Sequence, residues 1–227
     1  MRARLGPVVT LLLTLVIVVT LVYPADAFAY RYYSVGYDNL QFGTYTGIYT
    51  HHAFLGVTVS PGTDCQNPYA NSANPIFYTQ WVSISGQTDQ IEMGFGQQCQ
   101  AFSYIFTGYR QGGMWHTLDI WQAAPDGNFH VFDFHRLNTQ WQYWYDCCQL
   151  PWTLNWGVMG NWVGVGIESA DVNVVVPNHW FDTLNYTKNE SPWIGWSGND
   201  QLVDPPWMCG RWITSPLIWS AAQNTSC

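Results

Sequence analysis

Apolar and polar positions along this chain exchange every second residue, in short runs cut off by Gly, Asn and Pro. A period of two is that of a β-strand with one buried face. The runs are rich in the aromatic and β-branched residues that suit a pleated surface. They predict strands over residues 47–50, 54–60, 79–85, 90–96, 102–109, 116–122, 129–135, 140–145, 162–169 and 217–221. Asp126-Gly127-Asn128 is a turn signal between two of these. Residues 181–186 fit either a short helix or a strand, and 185–206 read as a long polar surface excursion. No helical period is sustained. The expected fold is all-β, a two-sheet antiparallel sandwich of the concanavalin-like jelly-roll kind with a concave outer face.

The first residues lie outside that pattern. Arg2 and Arg4 precede an apolar run over 8–22, and small residues follow at Ala25, Ala27 and Ala29, as in an export signal. The run is shorter than the ~20 apolar residues that span a bilayer. Residues 1–29 are therefore expected to be a signal peptide, and 30–227 a single secreted, extracellular sandwich domain.

Charge narrows the partners. Without residues 1–29, five cations (Arg31, Arg110, Arg136, Lys188, Arg211) face fourteen acids, a formal −9. The cations do not cluster, so neither a nucleic acid nor a membrane surface is an expected partner. A monomer is expected. All six cysteines, Cys65, Cys99, Cys147, Cys148, Cys209 and Cys227, lie in the exported part, an even number that suits disulfides. The expected pairing is Cys65 with Cys99 and the adjacent Cys147 and Cys148 with Cys209 and Cys227, because a ring between neighbours is strained. The six histidines show no metal-ligand spacing, and neither a metal nor another cofactor is expected.

Only three glutamates are present, and Glu190 sits in the polar excursion. The other two share a pattern. Glu92 is followed on its strand face by Gly94 and Gly96, with Ile91, Met93 and Phe95 on the other face. Glu168 is preceded on its face by Gly166 and Gly164, with Val163, Val165 and Ile167 opposite. Antiparallel pairing with Glu92 beside Glu168 would set a carboxyl pair above a floor of glycines, which often mark close approach by a ligand. Two carboxyls in one site rarely both ionise. One can then act as base on water while the other donates a proton, the chemistry that hydrolyses a peptide or glycosidic bond. No Gly-x-Ser-x-Gly elbow offers a serine nucleophile.

The segment Trp81-Val82-Ser83-Ile84-Ser85-Gly86, followed by Ile91-Glu92-Met93-Gly94-Phe95 and later by Gly166-Ile167-Glu168, resembles the glutamic peptidases. The eqolisin branch has a Trp-Val-Gly-Ile-Asp-Gly strand, then a catalytic Gln before x-Gly-Phe, then a catalytic Glu ending an apolar strand. The neprosin branch has Glu in both places, and this chain is similar to it there. The resemblance covers residues 45–175 and implies Glu92 and Glu168 as the catalytic pair of an acid-acting endopeptidase without a metal, with Trp81 lining the site. Gln90, Gly94, Gly166 and Trp115 are further candidates for contact with a polypeptide substrate. Ser85 stands where eqolisins have Asp, and activation by removal of a propeptide domain, as in neprosin, is not expected. Two other functions fit the composition: a jelly-roll glycoside hydrolase, or a non-catalytic carbohydrate-binding module. Trp115, Trp121, Trp141, Tyr143 and Trp144 could offer rings to a polysaccharide or simply fill the core.

Overall fold

Alternation at this density folds into two stacked sheets. A computed structural model describes residues 32–55, 58–59, 75–85, 88–98, 102–169, 174–204 and 206–227. The expected signal segment, Cys65 and Cys99 lie outside them. Among the described residues there is no helix.

The first sheet has seven strands, in the order β14 (Asp200–Val203), β1 (Tyr32–Asp38), β11 (Trp162–Ser169), β4 (Pro75–Ser85), β5 (Asp89–Gln98), β6 (Phe102–Gln111) and β7 (Met114–Gln122). The second runs β10 (Cys148–Asn155), β9 (Gln140–Tyr145), β8 (Phe129–Leu137), β2 (Tyr45–Ala53), β12 (Val174–Lys188), β16 (Ile218–Gln223) and β15 (Met208–Thr214). Two short strands, β3 (Thr58–Val59) and β13 (Ile194–Gly195), add to β12. All pairings are antiparallel.

Each sheet turns one face inward. From the first come Ile76, Tyr78, Val82, Ile91, Met93, Phe95, Val163, Val165 and Ile167; from the second, Ile48, Phe132, Phe134, Trp141, Tyr143, Phe181 and Trp219. Rings meet across the gap: Phe95 packs edge-on to Phe132 at 4.8 Å, and Tyr78 stacks on His179 at 4.4 Å. Burying each of the aliphatic, methionine and phenylalanine side chains contributes roughly 1.5–3 kcal/mol. Buried polar groups also bridge the sheets. Asp38 of β1 accepts from Tyr45 of β2 and from the backbone N–H groups of Ser197 and Gly198 at 2.8 and 2.6 Å.

Several local expectations change. Phe54 and Leu55 leave the strand, and among the described residues of the expected 54–60 run Thr58–Val59 is the strand. The Asp126–Asn128 turn is present as expected, with Gly127 at φ 73°, and it carries the chain from one sheet to the other. The excursion over 185–206 is partly strand, since β12 extends to Lys188 and β14 edges the first sheet. Glu190 is fixed at the other sheet by Arg136, 2.9 Å away. The cysteine pairing also differs: Cys209 and Cys227 are bonded to each other, and Cys147 and Cys148 are free. The residues are 18 apart in sequence, but β15 and β16 lie side by side and the chain end returns to β15.

Candidate active site

With Ile91, Met93, Phe95, Val163, Val165 and Ile167 turned into the core, the alternate positions of β5 and β11 must face outward. Strand β4 lies between them and fixes their register. Glu92 pairs with Trp81 and Trp81 with Gly164; Gly94 with Thr79 and Thr79 with Gly166; Gly96 with Phe77 and Phe77 with Glu168. Directly opposed residues project to the same side of a sheet, so these positions form one patch on the outer face.

This corrects the register expected from the sequence. The two glutamate strands do not pair, and because both run antiparallel to β4 they are parallel to each other. Glu92 and Glu168 therefore occupy opposite corners of the patch. In a flat sheet their Cα atoms would be about 16 Å apart, from strand spacings of about 4.8 Å and rises of about 3.3 Å. They do not pair side by side over a proton. Thr79, at the centre, is the one side chain on the diagonal between them, because its neighbours across the strands are Gly94 and Gly166.

Neither glutamate is a solvated surface residue: Glu92 is 2 % exposed and Glu168 3 %. Both oxygens of Glu92 are occupied. The Thr79 hydroxyl donates to Oε1 at 2.8 Å and the Gln90 amide to Oε2 at 2.8 Å. Thr79 Oγ1 also lies 3.1 Å from the carbonyl of Met93. A hydroxyl has one proton to give and can also accept. Thr79 can therefore donate to an ionised Glu92, or accept from a protonated Glu92 while donating to Met93. The site accommodates either state of that carboxyl.

The glycines carry rings and neighbouring backbone instead of an empty floor. A Cβ on Gly164 would lie 2.7 Å from the Trp162 ring and 2.9 Å from that of Trp81; one on Gly96 would meet Tyr104 at 2.4 Å, and one on Gly108 would meet Trp115 at 2.3 Å. Gly94 and Gly166 admit close strand approach, with 2.2 Å from such a Cβ to the carbonyls of Tyr78 and Ser34. Backbone cannot move aside as a side chain can. Gly166→Ala is expected to destabilise the protein by about 1–3 kcal/mol, read as a lowered urea midpoint at unchanged slope.

All the sequence-derived contact residues lie on this face. Gln90 binds Glu92, Trp81 covers Gly164, and Trp115 lies over Gly108, which pairs with Glu92. Trp115 remains 39 % exposed, and its indole N–H donates to Thr117 at 2.9 Å. The other proposed sugar-binding rings disperse. Trp141 and Tyr143 are core, Trp121 packs against it, and Trp144 stacks on His135 in the other sheet. Sequence reasoning missed Thr79, Tyr104, Trp162 and Phe106, which pairs with Gly94 and lies edge-on to Trp115 at 6.0 Å. Thr79 shares the parity of Trp81, and that is the signal that points to it.

Neither the protein-family models nor the curated proteins contain a match to this chain. Solved structures do resemble it. Scytalido-glutamic peptidase with a transition state analog inhibitor matches with a TM-score of 0.58 at 7 % identity, covering 86 % of this chain and 98 % of that one. SCP-B, a member of the eqolisin family of peptidases, in complex with the tripeptide Ala-Ile-His, matches with a TM-score of 0.52 at 11 % identity, covering 85 % and 97 %. The likeness covers most of this chain and nearly all of each of those, and the chain has the fold of the glutamic peptidases.

Proposed function

We propose that this chain is a secreted hydrolase of the glutamic peptidase type that cleaves polypeptides in acid, with Glu92 and Glu168 as its catalytic residues. The observation that carries this reading is the diagonal placement of two shielded carboxyls on one face, one of them held at both oxygens by Thr79 and Gln90. Glu168 acts as base on a water molecule seated between the corners. Glu92 holds a proton, turns it from Thr79 toward the carbonyl oxygen as that becomes an oxyanion, and passes it to the leaving amine. Because the acids are apart, each works on its own side of the scissile bond. Acid is required because Glu92 must be protonated while Glu168 is ionised. The fold likeness to peptidases, the quoted motifs and the Cys209–Cys227 disulfide, a mark of exported proteins, support the reading.

The test is digestion of an unfolded protein, with a polysaccharide panel in parallel, at acidic and neutral pH. Peptide fragments in acid alone are expected. An inverting glycoside hydrolase also holds two carboxyls apart with water between them, so sugar release without peptide cleavage would replace this reading.

A further inference from the structure

The hairpin joining β9 to β10 turns on two residues, Asp146 and Cys147, with Tyr145 paired to Cys148. Asp146 adopts the left-handed conformation that so tight a turn demands, at φ 51°. Its carboxylate anchors the turn, with Oδ1 accepting the Val131 N–H at 3.0 Å and Oδ2 lying 3.1 Å from His130 Nδ1. The anchored turn presents two thiols side by side. Cys147 and Cys148 are both exposed, with their sulfurs 2.7 Å apart. The cysteines the sequence suggested as their partners are bonded to each other.

We propose that Cys147 and Cys148 form a modification site, at which a low-molecular-weight disulfide oxidises the adjacent thiols to a single Cys147–Cys148 bond. One thiolate attacks the disulfide and expels the first small thiolate, leaving a mixed disulfide on the protein. The neighbouring sulfur then attacks the protein-bound sulfur and expels the second. Two protein S–H bonds and one small-molecule S–S bond are exchanged for one protein S–S bond and two small thiols. The protons lost by the cysteines are taken up by the leaving thiolates. Adjacency favours the second attack over capture by another molecule, because the second sulfur is already in contact. A ring between neighbours is strained, so the step reverses readily under small thiols. The site belongs to the nine-stranded sheet and is independent of the glutamates and of the peptidase reading.

The experiment treats the full chain with oxidised glutathione and then with a thiol-blocking alkylating agent. Non-reducing peptide mapping follows, with capture by immobilised phenylarsine oxide, which bridges adjacent thiols, as a second readout. The expected peptide contains both Cys147 and Cys148, is lighter by two hydrogen atoms, is unalkylated, and loses arsenical capture until reduced. Cys147→Ser should end arsenical capture and leave Cys148 carrying glutathione. Cross-links from either residue to Cys65 or Cys99, a disulfide-linked dimer, or full alkylation of both thiols after oxidation would each overturn the proposal.

Discussion

Glu168→Gln is expected to abolish peptide hydrolysis, lowering kcat/KM by about 10²–10⁴-fold, the contribution usual for a positioned general base. A factor of about 10³ corresponds to roughly 4 kcal/mol of lost transition-state stabilisation. An amide of the same shape cannot take a proton from water at working pH, so the loss falls on kcat. Glu92→Gln should behave differently. Its amide oxygen can accept from Gln90, while its amide nitrogen donates to Thr79 and Thr79 donates to Met93, along the contacts already present. Glutamine thus imitates protonated glutamate, and the eqolisin resemblance places Gln at this position. Activity within about tenfold of wild type is expected for Glu92→Gln, since its hydrogen bond to the oxyanion is kept while proton delivery passes to water. Unchanged thermal midpoints in both variants would show that the comparison concerns chemistry and not folding.

The second large effect concerns acid stability. His52 and His179 are fully buried between the sheets, with Nε2 of His179 3.4 Å from Nδ1 of His52. Burial holds His179 down at about 3 against an ordinary 6.5, and burial followed by the neighbouring His179 pushes His52 well below the same value. A depressed histidine favours the native state while it stays neutral. Its contribution is complete above about pH 6.5, where neither state binds a proton, and is lost as pH falls through the window from 6.5 to 3 because the unfolded chain protonates first. At about pH 4, His179 alone should have cost roughly 3 kcal/mol, a large part of a typical folding free energy. Urea midpoints should fall between neutral and acid pH, and His179→Gln, which stays neutral and can donate to His52, should flatten that fall. A midpoint independent of pH would show that the pair does not govern acid stability. His130 works the other way. Burial lowers its pKa, but hydrogen bonds to Asp146 and Asp126 outweigh that and raise it. Its contribution is present below 6.5 and disappears as pH rises through the raised value. An acid-acting protein would thus carry one histidine cluster that resists acid and one that yields to it.

Which features were legible in the sequence follows from how local they are. The outward faces of β5 and β11 could be read from Glu92, Gly94 and Gly96 and from Gly164, Gly166 and Glu168, because alternation is a property of each strand alone. Their relative placement could not, since it depends on β4 entering between them, and nothing in either glutamate segment encodes a third strand. Strand β12 was legible only as the ambiguous 181–186 segment, and its length was hidden for another reason. Pro177 lies inside it, and the ladder shifts between Val176 and His179 and again between Asp182 and Asn185, with Thr183 at φ 52°. Each shift resets the face parity on which the pattern is recognised. Strand β10 carries Pro151 at an irregularity between Gln149 and Thr153, a placement an edge strand tolerates. Disulfide partners were illegible because they follow from the adjacency of β15 and β16, not from cysteine spacing.

The pH dependence of kcat/KM for Glu92→Gln, set beside wild type on one peptide substrate, tests the assignment of roles most directly. Wild type should give a bell, its acidic limb marking ionisation of the base and its alkaline limb loss of the proton from Glu92. Glutamine has no such proton to lose, so the variant should keep the acidic limb and lose the alkaline one. An alkaline limb left unchanged in Glu92→Gln would contradict the account, since the essential proton would then reside elsewhere.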